Sequence, residues 1–284
     1  MYDLILENRN GDRIELAHNL DYAVTEIDGL YPPSANIVTS ETSLFDGAKY
    51  NSSKVNVRQI DIALSILRDA ETNRIALYKV VKSKQYIKLT YRNGSREVYI
   101  EGYVSQMSVD MFSLNQPVTI SILCPEPYFK DATEIIDAIS TVVDAFTFPF
   151  AITADKKIPF SYRGEILELN IVNNGDVETG LTIEMYASGQ VKNPAVLNRD
   201  TGEYFRLLTT LETGDVVYIT TDRGNKRVRV FRDGVYVNLF NYIAQGSTWL
   251  QLQPGDNVFV YEAEDETEQY LDVRFVHRHL YEGV

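Results

Sequence analysis

The sequence predicts a mainly β protein made of two domains. Tyr and Phe are abundant, with 19 and 12 residues, and Val, Ile and Thr recur in short runs, a composition that suits half-buried strands. Polar turns that contain glycine separate these runs at short intervals, as in antiparallel sheets. At 284 residues the chain exceeds the usual size of one domain. We therefore predict an N-terminal domain over 1–130 and a C-terminal β-sandwich over 131–284.

The N-terminal domain is predicted to contain one helix among its strands. It opens with the hairpin pattern YDLILEN, RNGD, RIEL, whose Asn-Gly pair is typical of a type I′ turn. Residues 69–85 show helical spacing of apolar side chains, with Asp69 or Thr72 available as the N-cap. Strand patterns follow over 86–110 around a second Asn-Gly turn, and the prolines of CPEP end the last strand of this half.

A long, bent hairpin arm is predicted in the N-terminal domain. A loop rich in Pro, Gly and Ser covers 28–53, and a strand pattern follows over 55–67. The apolar phase of this strand changes midway, which indicates a bulge or a bend near Arg58 and Gln59. The resulting arm, roughly 37–67, is longer than an ordinary strand.

The C-terminal half shows a series of short strand patterns after a connector over 131–150. Nine patterns, including TWLQL, are separated by turns such as NNGD, DTGE and QPGD, which favours a β-sandwich. This half carries a net charge of −11, whereas residues 1–130 carry −2. Such acidity repels phosphates, so we expect no specific binding of nucleic acid.

The sequence contains no catalytic motif, so we predict that the protein is not an enzyme. G-x-S-x-G, the Walker loop, G-x-G-x-x-G and H-E-x-x-H are all absent from it. Cys124 follows an apolar run, which favours a buried small side chain over a nucleophile. His277 and His279 share one strand face, but zinc needs three or four ligands, so we expect a surface pair and neither metal nor cofactor. No run approaches the roughly 20 apolar residues of a membrane span, so we expect no membrane insertion.

One tryptophan stands out as a candidate contact residue. If Leu250 and Leu252 face the core, Trp249 points outward and could contact a ligand or a partner, whereas the alternative is a tryptophan at the edge of the core. Together with Tyr236 and Tyr242, it could form a stacking surface for sugar rings or a docking surface on the second domain.

Two stretches resemble the distal tail proteins of siphophages and related tail-like particles, the siphovirus-type tail components. The first is LFDGAKYNSSKVNVRQIDIALSIL with the later ILCPEPYFKD. The second runs from NNGDVETGLTIEMYASGQVKNPAVLNRDTGEYFRL to QPGDNVFVYEAE and HLYEGV. The resemblance implies an N-terminal domain related to tail-tube proteins, with a sheet, a helix and a long hairpin arm, and a galectin-like C-terminal β-sandwich. Six N-terminal domains would form a ring around a channel, with the sandwiches outside.

The resemblance also implies a structural function at the tip of a phage tail. The ring would join the tail tube to the adsorption apparatus, or baseplate, and let DNA pass. Expected partners are further copies in a homo-hexamer, the tail-tube protein, the tail-tip hub or tail-associated lysin, and receptor-binding proteins. The protein would be made in the cytoplasm of the bacterial host and reside in the virion.

Three arm residues, Phe45, Tyr50 and Arg58, are the candidates for contacts between neighbouring copies, with Arg58 as an anchor near the bend. The alternative function is that of a carbohydrate-binding module-like protein that recognises host surface sugars. The missing secretory pattern at the first residues argues against that alternative.

Overall fold

The computed structural model describes residues 2–41, 46–94, 96–139, 142–144, 161–163 and 168–284. It divides the chain into two compact units. Unit 1 consists of Met1–Ala132 together with Leu280–Val284, and unit 2 consists of Thr133–His279. The last residues therefore lie with unit 1, whereas the division made from the sequence assigns them to the C-terminal domain.

Unit 1 combines antiparallel strands with a helix. In chain order its described elements are β1 (Tyr2–Asn8), β2 (Arg13–Glu15), β3 (Tyr22–Asp28), β4 (Ala35–Glu41), β5 (Ala48–Val55), β6 (Arg58–Ile66), α1 (Ala70–Val80), β7 (Tyr86–Asn93), β8 (Arg96–Val109), β9 (Pro117–Cys124) and β10 (Phe129–Asp131). The large sheet has the order β2-β1-β7-β8-β9-β6-β3, and β10 pairs with β8. β4 and β5 form a separate two-stranded sheet.

The large sheet of unit 1 curls around a single core. Strand β6 alternates strictly, with the side chains of Ile60, Ile62, Leu64 and Ile66 buried, as a strand with one face on a core requires. These residues share one apolar cluster with Leu4 and Leu6 of β1, although β1 lies towards the opposite end of the strand order. The two ends of the sheet must therefore approach each other.

The helix α1 is shorter than the predicted 69–85. Asp69 occupies the N-cap position with φ 39 and makes no capping hydrogen bond through its side chain. The helix ends because Val81 is extended, and its N–H donates to the Leu77 carbonyl. Leu77, Val80 and Val81 are buried, whereas Ile75 is exposed. Among the described helices, none is long and apolar enough to span a membrane.

Unit 2 consists of antiparallel strands in two main sheets. Its described strands are β11 (Ile135–Ile139), β12 (Val142–Asp144), β13 (Ser161–Arg163), β14 (Glu168–Asn173), β15 (Leu181–Ala187), β16 (Val191–Asn198), β17 (Tyr204–Arg206), β18 (Thr210–Leu211), β19 (Val216–Thr220), β20 (Arg227–Arg232), β21 (Val235–Asn238), β22 (Gly255–Glu264) and β23 (Leu271–His277). The chain then returns to unit 1, where β24 (Leu280–Tyr281) pairs with β10.

Unit 2 is a β-sandwich. One sheet has the order β11-β23-β15-β19-β20-β21, and the other has the order β14-β22-β16-β17 with β18 beside β16. The buried faces of both sheets belong to one apolar cluster, and the rings of Phe259 (β22) and Phe275 (β23) meet across it with centroids 5.1 Å apart. The predicted mainly β architecture is confirmed, and the galectin-like character of the sandwich stays a prediction.

Several local predictions differ from the structure. The opening hairpin forms, but of its Asn-Gly pair only Gly11 has a positive φ, because the Asn8 side chain closes the turn by accepting from the N–H groups of Asn10 and Asp12. The connector over 131–150 includes β11, which pairs with β23. The predicted TWLQL strand makes a single bridge, between Leu252 and Thr179.

Candidate interaction surfaces

The hairpin β4–β5 forms an exposed arm. Its strands pair only with each other among the described residues, from Ala35 opposite Val55 to Glu41 opposite Ala48. Its side chains contribute nothing to the core of unit 1, and Ile37 and Tyr50 are 61% and 59% exposed. An isolated two-stranded hairpin is marginally stable in water, so this arm is suited to a partner strand.

The candidate contact residues fall at different places around this arm. Tyr50 lies on β5, where its hydroxyl is 2.8 Å from the Ser53 hydroxyl. Phe45 lies outside the described residues. Arg58 is the first residue of β6, directly after a break in the strand at Asn56 and Val57, close to the position where the sequence predicts a bulge or a bend.

Arg58 is buried inside unit 1, with 3% exposure. Its Nε donates to the Pro127 carbonyl at 2.6 Å, its Nη1 donates to the carbonyls of Gly29 at 2.6 Å and Tyr31 at 2.7 Å, and its Nη2 donates to the Glu282 carbonyl at 2.6 Å. Burial lowers the pKa of Arg58. The guanidinium therefore holds the base of the arm and the returning C-terminal segment, and it is not available as an anchor on a neighbouring copy.

Gly29 directly follows β3, and a side chain at this position would clash with the neighbouring strand β6. Its φ is +87, and a Cβ at this position would lie 2.2 Å from the Gln59 carbonyl oxygen. Gly11, in the turn between β1 and β2, has a similar φ of +85 but open space around it. We therefore expect Gly29→Ala to lower the free energy of unfolding by about 2–4 kcal/mol and Gly11→Ala by only about 1 kcal/mol.

Chemical denaturation of the two variants measures this difference. The pair shares the cost of a positive φ, so the excess in Gly29→Ala reports the steric contact with β6. Equal losses in the two variants would contradict the close approach at the base of the arm.

β3 forms a free edge of the unit 1 sheet. Among the described strands it pairs with β6 alone, and a bulge between Val24 and Glu26 interrupts the register, as is common at sheet edges. Its side chains border a cleft of about 210 Å³. The opposite wall of this cleft is formed by Tyr2 and Tyr91, whose rings stack with centroids 6.0 Å apart.

Strand β5 of the arm and the β3 edge carry opposite charges, although the arm as a whole also contains Glu41 and Asp46. Strand β5 contains Lys49 and Lys54 and no acidic residue, whereas β3 contains Glu26 and Asp28 and no basic residue. These two lysines and two acidic residues are all exposed. Neither lysine forms an ion pair with a carboxylate in the part of the chain that the structure describes.

Trp249 lies in a half-buried aromatic cluster of unit 2. Leu250 and Leu252 face the core as predicted, and the Trp249 ring packs against Phe205 and Phe240, with centroids 5.2 and 6.1 Å away. The ammonium of Lys226 lies 5.3 Å from the centroid of the indole. The indole of Trp249 therefore already contacts two aromatic rings and one ammonium group of unit 2, and the residue is only partly exposed.

The other two aromatic candidates are more exposed. Tyr242 follows Phe240 in a single 3-10 turn and is 47% exposed. Tyr236 lies on β21 and contacts Phe231 and Tyr218 instead, with ring centroids 5.0 and 6.0 Å away. No ring contact joins Tyr236 to Trp249 within the described residues, so a single stacking surface is not formed by the three.

Strands β20 and β21 form a basic edge that we did not predict from the sequence. Residues 223–242 contain five basic residues and one acidic residue, a net charge of +4 in a half whose net charge is −11. Arg232 is bound to the buried carboxylate of Asp215, with Nε to Oδ1 at 2.9 Å. The sequence feature that could have predicted this edge is the basic run KRVRVFR within the acidic C-terminal half.

Cys124 lies in the core of unit 1, with no exposed surface. Burial raises the pKa of its thiol to about 12, so the thiolate is suppressed near neutral pH. This environment is that of a small core side chain.

His277 and His279 are buried, and the prediction of a surface pair is wrong. Their exposures are 3% and 7%, because His277 continues the row of buried side chains on β23, Leu271, Val273 and Phe275, and His279 follows two residues later. The Nε2 atom of His277 lies 3.0 Å from Oδ2 of Asp137 on β11, and its Nδ1 atom is buried without a hydrogen-bond partner among the described residues. No group of three or more His, Cys, Asp or Glu residues within the described ranges is arranged to hold a metal ion.

The burial of His277 makes the stability of unit 2 depend on pH. Burial lowers the pKa of His277 below its ordinary value, against the opposing effect of Asp137. As the pH falls through about 6.5, this histidine therefore binds a proton in the unfolded chain. In the folded unit it binds a proton only at a lower pH. The contribution of this residue is therefore complete above about pH 6.5 and decreases as the pH falls below that value.

Denaturation curves at about pH 7.5 and pH 5.5 test this dependence. We expect His277→Gln to weaken the loss of stability at the lower pH, because the variant carries no group that titrates at this position. An identical pH dependence in the wild type and in His277→Gln would argue against this role of His277.

Comparison with known proteins gives both a family match and structural neighbours. Residues 174–279 match the family model of the siphovirus-type tail component, C-terminal domain, which confirms the resemblance for this part of unit 2. None of the curated protein sequences matches the chain.

The structural neighbours cover the whole chain. The SPP1 Dit (gp 19.1) protein, a paradigm of the hub adsorption apparatus in phages that infect Gram-positive bacteria, is similar with a TM-score of 0.70 and 13% identity over 99% of each chain. A chain of the phage P2 baseplate in its activated conformation with Ca is similar with a TM-score of 0.58 and 13% identity over 100% of each chain. At such identity the likeness concerns the fold, and it extends over both units.

Proposed function

We propose that this chain is a structural subunit of a siphophage tail, a distal tail protein without catalytic function. The observation that carries the proposal is the match of residues 174–279 to the C-terminal domain of siphovirus-type tail components. The likeness of both units to the SPP1 Dit protein supports it, because a fold shared over 99% of both chains includes the arm-bearing unit 1 as well. The protein acts in the virion, at the tip of the tail, after synthesis in the bacterial host.

Unit 1 forms a ring, in this proposal, through its arm. β3 and β4 make one leg of a long hairpin, and β5 and β6 make the other, because β3 pairs with β6 and β4 pairs with β5. The free edge of β3 and the outer edge of β5 therefore lie on opposite sides of this hairpin. A head-to-tail contact that closes into a ring needs two different surfaces on opposite sides of each copy.

The arm of one copy docks along β3 of the next copy. Lys49 and Lys54 on β5 complement Glu26 and Asp28 on β3, and the exposed apolar side chains of the arm fit beside the cleft lined by Tyr2. Strand addition at a free edge satisfies backbone groups that water otherwise solvates. Charge complementarity then favours this edge as the partner of the arm.

Six copies make the ring, by the resemblance to distal tail proteins, and DNA passes through its channel. The nearly neutral N-terminal half, with a net charge of −2, suits a wall that DNA crosses without binding. The ring joins the tail-tube protein to the tail-tip hub, the tail-associated lysin and the receptor-binding proteins of the baseplate.

Electron microscopy of the purified full-length protein tests this function, together with its mass by light scattering. We expect rings with a central hole wide enough for duplex DNA and a mass of about six subunits. Monomers at high protein concentration, with or without a purified tail tube, would count against the ring.

A further inference from the structure

Strand β21 presents a free backbone edge in unit 2. It is the last strand of its sheet in the described structure, and Asp233 and Gly234, with φ 50 and 80, form the tight turn that joins it to β20. The Leu239 N–H donates to the Val228 carbonyl at 3.0 Å. Because backbone groups alternate along an antiparallel ladder, those of Tyr236 and Asn238 point away from β20.

This edge lacks the features that normally protect an edge strand. Natural edges carry charges, prolines or bulges that oppose further pairing. All four residues of β21 are exposed, none is charged, and three of them are large and apolar, Val235, Tyr236 and Val237. The strand is therefore suited to accept another strand.

The charges beside this edge specify the chemistry of that strand. Lys226, Arg227 and Arg229 form no ion pair with a carboxylate in the described part of the chain, and the guanidinium of Arg229 lies 4.2 Å from the ring centroid of Tyr236. Arginine and tyrosine are enriched where protein interfaces bind most strongly. An acidic segment would pair with these cations, whereas a basic segment would be repelled.

We propose that the β20–β21 edge of unit 2 binds an extended, acidic segment of another protein, which adds as a strand beside β21. The segment places carboxylates against Arg227 and Arg229 and apolar side chains against Val235 and Val237. This contact is separate from the ring, since it uses unit 2 alone, and it stands whether or not unit 1 forms a ring.

Binding of a short fluorescent peptide that alternates Glu and Val tests the proposal on the full-length protein. Fluorescence anisotropy should show binding of this peptide and at least about tenfold weaker binding of its counterpart with Lys in place of Glu. The double variant Arg227→Glu with Arg229→Glu should weaken the binding of the Glu peptide by about tenfold or more. Arg199→Glu, at an exposed arginine elsewhere in unit 2, should leave binding unchanged.

A matched pair at Tyr236 separates the backbone from the side chain. Tyr236→Ala removes only the ring, whereas Tyr236→Pro also removes the outward N–H without taking a bond from the β20 ladder. We expect the proline variant to bind at least about tenfold more weakly than the alanine variant. A thermal melt of each variant verifies folding, and the charge-reversal variant decides the question if the proline variant is unfolded.

Three results would overturn the proposal. The first is equal binding of the Glu and Lys peptides, and the second is equal binding by the folded alanine and proline variants. The third is self-association in sedimentation that Tyr236→Pro abolishes, because a second copy of this chain would then be the occupant of the edge.

Discussion

Replacing Arg58 by methionine is expected to lower the free energy of unfolding of unit 1 by about 3–5 kcal/mol. Methionine fills much of the volume of the arginine side chain but has no hydrogen-bond donor. Four carbonyl oxygens that accept from the guanidinium in the wild type therefore lose their donor, namely those of Gly29, Tyr31, Pro127 and Glu282. A hydrogen bond from a charged donor is worth more than a neutral one, and a buried acceptor left alone carries its full desolvation cost.

Chemical denaturation measures this loss of stability, and Arg58→Lys tests whether a positive charge alone can replace the guanidinium. A single ammonium cannot reach four carbonyls arranged around a planar fork, so the lysine variant should recover less than half of the lost stability. Arg92→Met, at an arginine whose side chain is 59% exposed, should change the free energy of unfolding by less than about 0.5 kcal/mol. If Arg58→Met and Arg92→Met are equally stable, the guanidinium does not hold the base of the arm.

Shortening the arm is expected to abolish rings and leave folded subunits. No residue of β4 or β5 belongs to the core of unit 1, so joining Thr39 to Ser53 by a short glycine linker should preserve the melting temperature. Light scattering and electron microscopy should then report monomers. Hexamers formed by this variant would show that the arm is not the ring contact.

Charge reversal tests where the arm docks. Lys49→Glu with Lys54→Glu places like charges against Glu26 and Asp28 in every contact of the ring, and we expect loss of at least about 90% of the rings. Combining this pair with Glu26→Lys and Asp28→Lys restores opposite charges and should restore the rings. If the lysine variant loses rings and the combined variant also stays monomeric, the arm does not dock along β3.

The strands follow from local patterns in most places. β1 (Tyr2–Asn8) coincides with the run YDLILEN, because alternation of apolar residues beside a turn is a local signal. β16 was not predicted, since Pro194 interrupts its pattern and places an irregularity between Lys192 and Ala195. TWLQL was predicted as a strand because its leucines alternate, yet both leucines fill the core from irregular backbone.

The interaction surfaces were only partly predictable. The bend before Arg58 was visible as a change of phase, but its carbonyl partners come from segments up to 224 residues away, and no local pattern reports them. The basic edge needs both the charges of β20 and the free edge of β21, and the second is a property of strand order. The contact of His277 with Asp137 likewise depends on the pairing of β23 with β11.

The return of the chain to unit 1 fixes an order of events during protein synthesis. β24 and the Glu282 carbonyl bound by Arg58 belong to unit 1, yet the ribosome makes them after all of unit 2. Unit 2 can fold as soon as it emerges, whereas unit 1 must wait with its last contacts open. Nascent chains that stop early would therefore leave unit 1 incomplete at the site that supports the arm.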